Sequence, residues 1–190
     1  MSHPAHEAAA ALIDGGSSDH ACVVRTLVTF GEPCLQFARR QGVRVAPLQR
    51  HESYRARSPA LRRLQIDVDA WPAPPAGLFV VEERTVYLRS HSAMTVAHEF
   101  GHALDCALGG GVYRSGVDPA LRRLFSEAAA FITPYAATGA DEYFAECVRA
   151  YVEANDAHSF WPRATRARLE RIDPQMHAYL TRVFETDVAV

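Results

Sequence analysis

The stretch SAMTVAHEFGHALDCALG, residues 92–109, carries both ends of a helix and, inside it, two histidines four positions apart. Ser92 offers an N-cap oxygen, and Gly109-Gly110-Gly111 stops the run at its other end. Residues turn by about 100° each along a helix, so His98 and His102 leave the same face one turn apart. That spacing suits two nitrogen ligands on one zinc ion, with Glu99 beside them to take a proton from water. Ala93, Ala97, Phe100, Leu104 and Ala107 form an apolar stripe that seats the helix on a core. Asp105 continues the line of His98 and His102, placed to accept a hydrogen bond from a ligand or from an arginine. Gly101 costs about 1 kcal/mol against alanine inside a helix, which predicts that another element packs closely there.

A catalytic zinc needs a third protein donor and one open position. The metzincin pattern places a histidine six residues after the second, where this chain has Leu108. An upstream cysteine of the deformylase kind is suggested by Cys34, outside the context that chemistry uses. A carboxylate from a later helix is offered by DEYFAE, residues 141–146. On that helix Glu142, Glu146, Arg149 and Glu153 lie opposite Phe144, Cys147, Val148 and Tyr151. Taken alone this is a solvated charged face. Beside a histidine pair that lacks a donor, Glu142 becomes the third ligand, and Glu146 an acceptor fixing the tautomer of one imidazole. A purely structural zinc would need four donors, and only three convincing ones are present.

Composition sets the outer bounds. The 190 residues suit one domain, 48% hydrophobic and 22% charged, with a formal net charge of −2. All 20 basic residues are arginine, which excludes a Schiff-base lysine and the phosphate-binding lysine of nucleotide loops. No global positive field exists to hold nucleic acid, and no apolar run is long enough to span a membrane. The first 20 residues lack the cationic and apolar segments of a secretory leader, so the expected location is the cytoplasm or export without a cleavable signal. Cys22, Cys34, Cys106 and Cys147 stand singly and read as reduced, buried small hydrophobes.

Outward from the histidine helix, the punctuation predicts an α+β fold. Residues 1–20 read as a flexible tail and 21–190 as one domain, in which 21–70 has no assigned role. Residues 22–30 are rich in strand formers, 33–41 suggest a short helix closed by Gly42, and 43–48 a strand. Residues 59–64 have a helical period, and the proline-rich 71–77 can continue neither element. Residues 78–81 and 85–89 suggest a hairpin, with 85–89 as an edge strand able to take an extended peptide by β-addition. Asp118-Pro119 opens a helix to about 132, Asp141 one to about 155, and Asp173-Pro174 one to about 185. Residues 111–116 suggest a rim loop, and His3, His6, His20, His51, His91, His158 and His177 read as surface residues.

HEFGHALD at 98–105 followed by PYAATGADEYFAE at 134–146 resembles the gluzincin metallopeptidases grouped with the anthrax lethal factor catalytic domain and the Pro-Pro endopeptidases. It is similar also to the Mlc titration factor family of bacterial zinc aminopeptidases. In that pattern a tyrosine stands seven residues before the ligand glutamate, as Tyr135 does before Glu142. The resemblance covers residues 78–154. It implies a zincin-like domain binding one zinc per chain through His98, His102 and Glu142. Glu99 would be the general base and Tyr135 the donor that stabilises the transition state. A peptide or protein would be the substrate. The Mlc-type likeness implies a second possibility, a protein that sequesters a regulator and keeps weak or vestigial peptidase activity.

Overall fold

Ser92, Asp118 and Asp173 each accept a backbone N–H one turn into the helix they begin, from Thr95, Ala120 and Met176 respectively. Proline occupies the first turn of the helices that start at Pro59, Pro119 and Pro174. These local signals place most of the helical boundaries. The computed structural model describes residues 4–14, 20–159 and 163–189. In chain order the elements are α1 (Pro4–Ala10), α2 (Ala21–Val28), α3 (Glu32–Arg40), β1 (Arg44–Pro47), α4 (Tyr54–Arg57) and α5 (Pro59–Leu64). They continue as β2 (Gly77–Val80), β3 (Thr85–Leu88), α6 (Ala93–Leu108), α7 (Arg114–Val117) and α8 (Pro119–Glu127). The last three are α9 (Ala140–Tyr151), α10 (Arg166–Ile172) and α11 (Pro174–Arg182). The fold is mixed α+β, with a small sheet ahead of the histidine helix and helices after it.

Three strands form one sheet in the order β1-β3-β2. β3 pairs parallel with β1, Arg44 opposite Thr85, and antiparallel with β2, Gly77 opposite Leu88. Residues 85–88 are therefore central and buried, and the predicted edge role for 85–89 is corrected: β2 is an edge. The hairpin reading hides this, because the parallel partner β1 lies about forty residues upstream and leaves no local mark.

Two further expectations change. Residues 22–30 contain strand formers, yet 21–28 are helical. Val23, Val24 and Leu27 sit at helical spacing and are buried, and Thr26 turns its hydroxyl back to the Cys22 carbonyl. Burial of that face outweighs the intrinsic preference. The predicted tail is docked where it is described. Ala5, Ala8, Ala9 and Leu12 are buried. The Asp14 N–H donates to the Val45 carbonyl and the Val45 N–H to that of Leu12, both at 2.8 Å. Alanine-rich helix with a small-residue face packs well although it is only weakly hydrophobic. The rest of that tail, 1–3 and 15–19, lies outside the described residues. His20 is buried, not at the surface, whereas His6, His51 and His158 are exposed; His3 lies outside the described residues. Cys34, Cys106 and Cys147 are buried free thiols, and Cys22 is exposed.

Gly101 marks where α6 meets α9. A Cβ built there would stand 2.9 Å from the Ala145 Cα and 3.2 Å from its carbonyl oxygen. Backbone cannot yield as a side-chain end can, so the two helices reach this separation only with glycine at 101. The Gly101→Ala variant gains up to about 1 kcal/mol of helix propensity and loses more by overpacking, about 1–3 kcal/mol. The expected result is a lower urea midpoint with an unchanged m-value; a midpoint above that of the parent would show that the helices are free to part.

Candidate metal centre

That close approach brings one face of α9 against the histidine pair. The Nε2 atoms of His98 and His102 are 3.1 Å apart. Glu142 Oε2 lies 3.1 Å from the first and 3.4 Å from the second. Donors arranged tetrahedrally about 2.0–2.2 Å from a zinc ion would be about 3.3–3.6 Å from one another. The observed separations agree to within a few tenths of an ångström. Glu142 Oε2 is buried without a well-aligned hydrogen-bond donor. Two imidazole nitrogens and a carboxylate oxygen thus converge on one point, an arrangement that a shared cation satisfies. Among the described residues this is the His/Cys/Asp/Glu group whose side chains could hold a metal ion.

The supporting contacts are buried. Glu146 Oε1 lies 2.9 Å from His98 Nδ1. Glu146, expected as the acceptor behind one imidazole, is only 5% exposed, and Arg149, a member of the same charged stripe, is 1% exposed. The charged stripe of α9 faces inward because it meets imidazoles and not water. Burial opposes charge on His98, but the Glu142 and Glu146 carboxylates outweigh it and hold its pKa up at about 9. Glu142 is also penalised by burial, and both imidazoles pull it well below the usual carboxylate range. A metal ion taken up here would have to displace a proton from His98 and none from Glu142 below about pH 9. Apparent zinc affinity should rise, by up to about tenfold per pH unit, as pH increases toward about 9, read by chelator competition; a flat profile would contradict the site.

Glu99 lies along the start of β2. A Cβ at Gly77 would come within 2.4 Å of the Glu99 Cγ, so the strand passes over this side chain only as glycine. Burial raises the Glu99 pKa, and the two imidazoles and the Phe79 backbone N–H act in the opposite direction. Tyr135 stands at the mouth, 53% exposed, its ring 5.5 Å from that of His98. Its hydroxyl donates to Glu142 Oε1 at 3.1 Å. Burial and the Glu142 charge push its pKa up to about 12, which keeps it a proton donor.

Asp105 does not reach the ligands. It accepts the N–H and the hydroxyl of Ser115, and burial raises its pKa to about 6. It fastens the predicted rim loop to α6, while His102 Nδ1 is buried without a protein partner. Two contributors were not anticipated. Thr133 donates its hydroxyl to Glu146 Oε2 at 2.7 Å, and Tyr113 places its ring 5.7 Å from that of His102. Neither carries a spacing signal that could have revealed it. Thr133 and Tyr113 join His98, Glu99, His102, Tyr135 and Glu142 in lining a pocket of about 670 Å³, whose other walls include Trp71, Leu78, Phe79 and Met94. Its rim is braced from behind, where Tyr54 donates to the Pro75 carbonyl at 2.7 Å and Arg89 pairs with Asp69 while covering the Tyr54 ring.

Neither the known family models nor the curated proteins contain a match to this sequence. Among solved structures, the fold is similar to that of the Pro-Pro endopeptidase from Paenibacillus alvei, with a TM-score of 0.62. The two are 21% identical, and the alignment covers 90% of this chain and 95% of that one.

Proposed function

We propose that this chain is a zinc-dependent peptidase. The observation that carries the reading is the convergence of His98 Nε2, His102 Nε2 and Glu142 Oε2 on one wall of a pocket that also holds the Glu99 carboxylate. The fold shared with an endopeptidase supports it. Zinc, when bound by these three side chains, supplies Lewis acidity and lowers the pKa of water toward about 7.

The chain's own groups do the rest. Glu99, buried and with its pKa raised, accepts the proton of the attacking water and returns it to the leaving amine. Tyr135 donates its hydroxyl to the oxyanion that develops on the scissile carbonyl, exchanging its present bond to Glu142 for that one. The substrate lies extended along β2, an edge strand whose Gly77, Leu78 and Phe79 border the pocket. Trp71, Leu78, Phe79 and Met94 favour apolar residues next to the cleaved bond. In the Tyr135→Phe variant kcat should fall about 10²-fold with KM little changed; an unchanged kcat would remove the tyrosine from the mechanism.

Incubation of the zinc-loaded protein with a diverse peptide pool, Pro-Pro sequences included, tests the activity itself. Cuts identified by mass spectrometry and abolished by a chelator are expected. A pool left intact, with a regulator protein retained stably after chelation, would instead support the sequestering role.

A further inference from the structure

Resting on the zinc reading above, we infer that Thr133 and Arg149 are positioning residues that act through Glu146. A count of hydrogen bonds leads there. An ionised carboxylate has about four acceptor sites, and four atoms of three residues surround that of Glu146. Oε1 faces His98 Nδ1 at 2.9 Å and accepts Arg149 Nε at 3.0 Å. Oε2 accepts the Thr133 hydroxyl at 2.7 Å and Arg149 Nη2 at 2.8 Å. The guanidinium grips both oxygens as a fork, and it is almost wholly buried. Its remaining Nη1 donates to the Ala154 carbonyl at 3.2 Å, just past the end of α9.

Saturation has a consequence for the metal ligand. Glu146 can only accept, so His98 Nδ1 must carry a proton. Nε2 is then the nitrogen whose lone pair can face a metal. Were Glu146 to lose its fork, the carboxylate could swing away, and both His98 tautomers would become available.

The same carboxylate reaches the catalytic tyrosine. Thr133 gives its hydroxyl proton to Glu146, and its oxygen accepts the Ala136 N–H at 3.2 Å. Ala136 follows Tyr135 in the short helical turn Tyr135–Thr138. One chain of hydrogen bonds therefore runs from Arg149 through Glu146 and Thr133 to the turn that presents Tyr135. Glu146 serves a metal ligand on α6 with one oxygen and the tyrosine turn with the other. Both side chains border the pocket, so zinc affinity, which a contact with substrate would not move, is the readout that isolates the route through Glu146.

The decisive pair is Thr133→Val, which keeps shape and removes the hydroxyl, and Thr133→Ser, which restores it. Zinc affinity by chelator competition and the thermal midpoint of the metal-free protein are read together. Thr133→Val should bind zinc about 10- to 100-fold more weakly and lose kcat with KM little changed, and Thr133→Ser should recover both. Arg149→Met should weaken zinc binding in the same direction wherever it folds. A Thr133→Val protein that melts lower but binds zinc within twofold of the parent would reduce the threonine to a structural role and overturn the inference. A parent chain that binds no zinc would instead sink the peptidase reading.

Discussion

Replacing Glu99 by glutamine should leave the fold and zinc binding intact while peptide cleavage falls about 10²- to 10⁴-fold. Glutamine has the same shape and can still lie under β2, where Gly77 makes room. It cannot accept a proton. Most of the loss should therefore appear in kcat, with KM little altered. Burial already raises the pKa of this carboxylate, bringing its basicity toward the operating pH. A Glu99→Gln protein that turned over peptides at the parent rate would exclude Glu99 as the base. One that no longer bound zinc would show that the residue belongs to the ligand framework.

The second large effect is expected at Glu142. Glu142→Ala removes one of three protein donors, and it also releases the hydroxyl of Tyr135. The loss in zinc affinity should exceed that of any supporting contact, about 10²-fold or more, and activity should vanish at limiting zinc. Metal-free stability near neutral pH should fall, because the deletion removes the carboxylate that both imidazoles favour in its charged form and that accepts the Tyr135 hydroxyl. Competition against a chromogenic chelator and a thermal melt read both quantities. Unchanged zinc affinity would place the metal elsewhere.

The parts of this architecture that rest on local chemistry were legible before any coordinates. α6 is bounded by a serine cap and a glycine triplet, and its two histidines face one way by period alone. Gly101 announced a close neighbour, which is Ala145. Other parts depend on partners distant in sequence. Val23, Val24 and Thr26 favour strand locally, and only their burial makes the segment helical. β3 reads as an edge until β1 pairs with it from upstream. Arg149 looks like a surface charge because nothing local reveals that it turns back onto Glu146 inside the fold. Thr133 sits in a connection with no periodicity at all, and its role exists only because Glu146 is within 2.7 Å.

Everything in the proposed chemistry depends on two helices delivering three donor atoms to a single ion. Anomalous diffraction at the zinc edge, recorded from crystals of the zinc-loaded chain, measures this directly. The expected result is one strong peak per chain within bonding distance of His98 Nε2, His102 Nε2 and a Glu142 carboxylate oxygen. A peak at other side chains, or zinc bound by the two histidines with Glu142 turned to solvent, would contradict the account.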